Sequence, residues 1–216
     1  MNIYEFADKL TVLSPVFLLL GIIGGTVHYG SLKKSFRLIM VYLVVSLITD
    51  LTSRILSALD QSNLILLPVF NLLELMLFCA IYLQFFGGSK KYLIAAIIVI
   101  FGVFCVRDIY VLSIEPDNLT NSYSSIFESL GMVFLAFLFF FESIRNYKEL
   151  KTPLFVLNSV IMVYFAAKLM FYIPISFFIH ETSDLKFYFW MVHLIILIVF
   201  YFFLAKSLWK SGRVRE

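Results

Sequence analysis

Four side chains stand out as capable of chemistry: Glu74, Glu128, Lys168 and His193. Each is ionisable, each lies inside a long apolar stretch, and none has an opposite charge one helical turn away. An ionisable group at the centre of a membrane helix costs roughly 2.5–3.5 kcal/mol on insertion scales, so those retained face the bundle interior, a partner or water. Two carboxylates and an imidazole suit acid–base work or a divalent ion. A lysine between aromatic rings suits a carboxylate, a phosphate head group or a buried glutamate.

The neighbours of these four extend the set. Asn71 shares a helical face with Glu74, and Trp190 shares one with His193, both at three-residue spacing. Tyr164, Lys168 and Tyr172 recur every four residues, just before Pro174, which kinks or ends a helix. Glu74, Glu128, Lys168, His193, Asn71, Tyr164, Tyr172 and Trp190 are therefore the candidate ligand-binding residues. A bridge from glutamate to lysine or histidine that merely ties helices together is the competing reading.

No catalytic set is expected. A zinc hydrolase wants three or more converging ligands, whereas the chain has 3 histidines, with His28 and His180 near opposite ends of the bundle. Glu74, Glu128 and His193 with a water remain an alternative metal set, and no cofactor is predicted. Ser122, Ser124, Ser125 and Ser129 surround Glu128 but compose no recognisable nucleophile motif. Asp50 and Arg54, four apart on one face, read as a structural ion pair. Arg107 and Asp108 sit near an interface, where the arginine reaches water.

The elements that must position these residues follow from composition. Of 216 residues, 62% are hydrophobic and 14% charged, and the mean hydropathy is +0.96. That exceeds what a soluble domain of this length buries, so lipid is the expected solvent. Seven apolar runs of about 20 residues, the length a membrane helix needs, are drawn at Thr11–Tyr29, Leu38–Leu59, Leu64–Phe86, Tyr92–Leu112, Ser122–Ile144, Leu154–Phe178 and Leu185–Leu208. Continuous runs such as IAAIIVIFGVF exclude the alternation of a barrel strand. The expected fold is an all-α integral membrane bundle of seven transmembrane helices, one domain over residues 1–216. Early acidic residues Glu5 and Asp8 argue for a retained first helix over a cleaved signal peptide. Cys79 and Cys105 fall within spans and read as buried thiols.

Orientation follows from the cations in alternate connectors. Lys33, Lys34, Arg37, Lys90, Lys91, Arg145, Lys148, Lys151, Lys206, Lys210, Arg213 and Arg215 fall on one side, and only Lys9 and Lys186 on the other. This bias places the first set in the cytoplasm, the N-terminus outside and the C-terminus inside. The net charge of +3 thus reports orientation and gives no sign of nucleic-acid binding. The sequon Asn118–Thr120 lies on an outer connector and carries no weight. At 1.5 Å per residue, the ionisable groups of spans 2 to 7 lie mostly ~5–15 Å below the outer surface. The inner half, apart from Glu142 and Asn158, is mostly Leu, Ile, Val and Phe. A cup open to the outside over an apolar floor is expected. Retinal proteins carry their pigment on a lysine midway along the last helix, whereas Lys206 is at the inner end here and the deep lysine is in span 6.

Several short patterns run through most of the chain. They are Asn71 and Glu74; Ser122, Tyr123, Glu128 and Ser129; Pro153, Leu154, Phe155, Asn158, Ser159 and Tyr164; and Trp190, His193, Leu208, Trp209 and Lys210. In these the chain resembles an uncharacterised family of small seven-helix bacterial membrane proteins. Members of that family often show Asn where this chain has Lys168, and another Asn where it has Leu197. The resemblance implies the architecture and draws interest to Glu74, Glu128 and His193, without assigning an activity.

The leading expectation is a sensory or receptor-like module of the cytoplasmic (inner) membrane. It would bind a small-molecule or lipid-like ligand in the outward polar pocket and signal through its basic face to a cytoplasmic partner protein. An intramembrane lipid-modifying enzyme and a small proton-coupled transporter are the alternatives.

Overall fold

A computed structural model of the chain describes residues 3–88, 90–114, 123–145, 153–178 and 185–213, and the regular structure in them is helical throughout. Seven helices occur among the described residues: α1 (Ile3–Val27), α2 (Lys34–Ala58), α3 (Leu66–Tyr82), α4 (Lys90–Ile114), α5 (Tyr123–Arg145), α6 (Pro153–Phe178) and α7 (Leu185–Arg213). The sequon, Ser122, His180, Lys148, Lys151 and Arg215 lie outside the described residues.

Six of these helices, all but α3, are long and apolar enough to cross a membrane. In hydrocarbon a backbone must satisfy its own N–H and C=O groups, which a continuous helix does. The chain is a multi-pass membrane protein built as a seven-helix bundle. Helix α3, at 17 residues, rises only ~25 Å. It begins with Pro68 in its first turn, where the missing N–H is no loss. It ends at Tyr82, after which Leu83 and Gln84 donate to the carbonyls of Cys79 and Ile81 in a closing turn. The apolar run 64–86 is thus longer than its helix, because Leu83, Phe85 and Phe86 continue the apolar run in a turn. Helix α1 starts before its apolar stretch and helix α7 ends beyond its own. Polar residues in the interfacial layer propagate a helix as well as apolar ones do.

The helices close into a ring. Each packs on its neighbour in sequence from α1 to α7, α7 returns to α1, and α3·α5 and α2·α7 contacts cross inside. The outward faces are apolar: on α4, Val99, Val103, Val106 and Tyr110, spaced three or four apart, are all exposed. The core is built from the opposite faces, with Tyr42, Leu43, Leu75, Phe78, Met132, Leu135 and Phe165 fully enclosed.

Glycines let the last helix close on the first. A Cβ on Gly24 would stand 2.3 Å from Trp209 Nε1, and one on Gly21 would stand 3.2 Å from Ala205 Cβ. With no side chains there, Trp209 lies across α1 and donates from Nε1 to the Leu20 carbonyl at 3.0 Å. Close backbone approach at small residues is how membrane helices gain contact without a hydrophobic driving force.

A proline shapes the same helix. Pro15 lies inside α1 and lacks the N–H that would bond the carbonyl four residues back, which belongs to Thr11. Arg54 of α2 donates to that carbonyl at 2.8 Å, while its Nε and the Asp50 carboxylate pair at 2.9 Å. The deep arginine thus repairs a backbone defect next door, and Asp50 neutralises it.

Candidate functional site

The site is built around Lys168. Its position on α6 faces inward among Phe165, Tyr164, Phe171 and Tyr172, all buried. The long, flexible stem of lysine carries the ammonium into the ring interior. There Nζ donates to Glu74 Oε2 of α3 at 2.6 Å, to Glu128 Oε2 of α5 at 2.8 Å and to Asn71 Oδ1 of α3 at 3.1 Å. Three donors on one ammonium match three acceptors. The Phe165 ring lies 5.4 Å from Nζ and contributes a cation–π contact.

The acceptors are themselves held. Tyr42 of α2 donates its hydroxyl to Glu74 Oε1 at 2.8 Å, and Asn71 Nδ2 donates to Ser125 Oγ at 2.7 Å. Ser125 and Ser129 lie one turn apart on α5, and the Ser129 hydroxyl returns to the Ser125 carbonyl. Four helices thereby converge on one cation. Glu74 and Glu128 are 0% exposed and Lys168 2%, so the ring is filled at this level. In place of the cup open to the outside expected from the sequence, salt-bridged side chains occupy the centre.

His193 of α7 stands to one side of this cluster. Its ring stacks on Phe171, centroids 4.4 Å apart, and meets Tyr172 edge-on at 5.9 Å. Its Nδ1 is buried and without a hydrogen-bond partner. Two other buried side-chain atoms among the described residues share that condition, Ser124 Oγ and Glu128 Oε1. They sit one turn apart on α5. All three lie in the half of the bundle that the charge bias assigns to the outside.

Of the other residues singled out by sequence, Tyr164 is buried and stacks flat on Phe200 of α7 at 3.9 Å. Trp190 is 42% exposed and faces away from the interior. Glu74 and Glu128 are engaged by Lys168. Among the described residues, no three His, Cys, Asp or Glu side chains are grouped to hold a metal ion.

Two flanking arrangements frame the site. On the outer side, buried Asp108 of α4 accepts from the Ser124 backbone N–H at 2.8 Å and from Arg107 at 3.1 Å. That N–H is one of the unpaired donors of the first turn of α5, so Asp108 fixes the helix that carries Glu128. Arg107 in turn lies over the Tyr123 ring. On the inner side, Tyr82 of α3 donates to Asn158 Oδ1 of α6 at 2.7 Å, and Asn158 Nδ2 donates to the Ala136 carbonyl of α5 at 3.1 Å. The deep asparagine is satisfied on both ends. At the inner rim Lys90 and Glu142 pair.

A groove of about 420 Å³ lies beside the cluster, between α6 and α7. Val160, Val163, Tyr164, Ala167, Val199 and Phe203 line it. Tyr164 forms part of its wall and also neighbours Lys168, with 6.0 Å between the ring centroid and Nζ.

Comparison of the chain with protein-family models, curated proteins and solved structures finds no match.

Proposed function

We propose that this chain is a membrane-embedded sensory or receptor-like module of the cytoplasmic membrane. A small or lipid-like ligand arriving from the outer half acts on the Lys168 cluster, and the response reaches a cytoplasmic partner through the basic inner rim. The observation that supports this most directly is the cross-brace. Lys168 ties α6 to α3 through the interior, although the two helices make no close backbone contact among the described residues. A ligand that competes for this ammonium breaks the brace between α6 and α3 while α6 keeps its packing on α5, which gives a local event a helix-scale consequence. Buried polar atoms without partners on Ser124, Glu128 and His193 offer such a ligand its contacts. At the opposite end Lys33, Lys34, Arg37, Lys91, Arg145, Lys206 and Lys210 are exposed and available to an acidic partner surface.

Thermal unfolding of the purified protein against fractionated lipids and small molecules of the expression host tests the reading. A stabilising fraction is expected whose effect disappears in Lys168→Met and in His193→Ala. Stabilisation that persists in both variants but is lost in Ala167→Trp would move the ligand to the α6–α7 groove and overturn the assignment to the cluster.

A further inference from the structure

The cluster at the centre of the ring has an odd charge count. Two carboxylates, Glu74 and Glu128, share the one ammonium of Lys168. If all three were ionised, a net negative charge would remain in a dry interior, where an unpaired charge costs several kcal/mol.

Among the described residues, nothing else nearby balances it. From α2, Tyr42 faces Glu74 as a neutral donor. From α3, the Cys79 thiol lies within the field of Glu128, and from α4 the Cys105 thiol lies within that of Asp108 and, more weakly, of Glu128. Asp108 is already matched by Arg107. From α6, Tyr164 and Tyr172 flank Lys168, and from α7 Tyr201 approaches Glu74 while His193 lies on the lysine side of the cluster. A charged imidazole there would be repelled by the ammonium.

The hydrogen bonds have a matching gap. Both oxygens of Glu74 accept, one from Tyr42 and one from Lys168. Glu128 accepts at Oε2 only, and its Oε1 is buried without a partner. A structure with two full carboxylates would present a donor to that fourth oxygen.

We infer that the Glu74–Lys168–Glu128 triad is a binding site for one exchangeable proton, held on the carboxylate pair so that the interior is neutral. The proton is the ligand that needs no cavity in a place where the side chains already fill the space. Its departure strands a charge between α3, α5 and α6, so release is tied either to the entry of another cation or to separation of those helices. Proton occupancy thereby becomes an input to the same brace. The site stands independently of whether a further ligand is sensed, because it follows from the charge count alone.

Infrared spectroscopy of the protein reconstituted in neutral phosphatidylcholine vesicles counts the proton directly. At neutral pH the wild type is expected to show one carbonyl band of a neutral carboxylic acid that shifts on transfer to D2O and vanishes when the outer pH is raised. Glu74→Gln and Glu128→Gln each leave one carboxylate for one ammonium, so each is expected to lack the band. Both are charge-balanced, so both are expected to keep their fold. Lys168→Met removes the cation, and its spectrum is expected to carry two protonated carboxyls. Absence of the band in the wild type, or a sodium-dependent appearance of it, would show that both carboxylates are ionised and that another cation balances them. A band that survives both glutamine substitutions would place the proton outside the triad. Either result overturns the inference.

Discussion

Lys168 of α6 and Glu74 of α3 are joined at 2.6 Å across the interior of a ring in which their two helices share no close backbone contact among the described residues. Side chains connect them: Lys168 at this level, the Phe78–Phe165 ring contact, and the Tyr82–Asn158 hydrogen bond on the inner side. This makes the stability of the bundle depend on the pairing more than on either charge.

Removing the cation alone is therefore expected to be costly. Lys168→Met keeps much of the volume but takes the ammonium from two buried carboxyls, which then stay neutral only by binding a second proton, and breaking a buried pair in this way costs about 3–5 kcal/mol. The triple variant Lys168→Met, Glu74→Gln, Glu128→Gln has no charge left to solvate and is expected to recover most of that loss. Thermal or chemical unfolding in detergent measures both. Equal stability of the single and triple variants would mean that water already reaches the carboxylates.

How much of this was legible in the sequence depends on the scale of the feature. The helices were, because an apolar run long enough to cross a bilayer has few other stable forms. The choice of Glu74, Glu128 and Lys168 was also legible, since a charge inside such a run demands an explanation. Their mutual pairing was legible only as one of two open readings, because no spacing rule links residues 74, 128 and 168. Tyr42 was missed altogether, as a tyrosine in an apolar helix reads as core. Its signal was the polar stripe Tyr42, Ser46, Asp50 at four-residue intervals on α2. Trp190 shows how loosely spacing fixes a face: three residues leave two side chains about 60° out of alignment, and Trp190 is 42% exposed while His193 Nδ1 is buried. The cup was inferred from polarity alone, and polarity cannot distinguish a water-filled interior from one filled by long side chains bonded to each other.

Arg54 supplies a prediction that separates backbone repair from simple charge pairing. Its guanidinium donates to the Thr11 carbonyl, which Pro15 leaves without a donor in α1. Arg54→Ala is expected to cost about 1 kcal/mol, the size of a single net hydrogen bond at a half-exposed site. Replacing Pro15 by Ala returns the missing N–H to α1, so in that background the cost of Arg54→Ala is expected to fall markedly. A double-mutant cycle on unfolding temperatures reads this coupling. Equal losses in the two backgrounds would show that the Arg54–Asp50 pair, and not the freed carbonyl, is what the arginine serves.

The seam between α1 and α7 gives the last prediction. Ring closure there depends on Gly24, whose missing side chain leaves room for the Trp209 indole. Gly24→Ala forces a methyl to within van der Waals overlap of the ring, and overpacking of this kind typically costs about 1–3 kcal/mol. Trp209→Ala opens the space but abandons the bond to the Leu20 carbonyl, so it too is expected to destabilise. Combined, the two substitutions remove the clash they would otherwise create, and their joint effect is expected to be smaller than the sum of the separate ones. Crosslinking between cysteines placed on α1 and α7 across this seam reports whether it has parted. It is expected to be efficient in the wild type, weakened in Gly24→Ala and restored in the double variant. Undiminished crosslinking in Gly24→Ala would show that Trp209 swings aside at little cost, and that α1 and α7 are held by the remaining packing around Gly21 and Ala205.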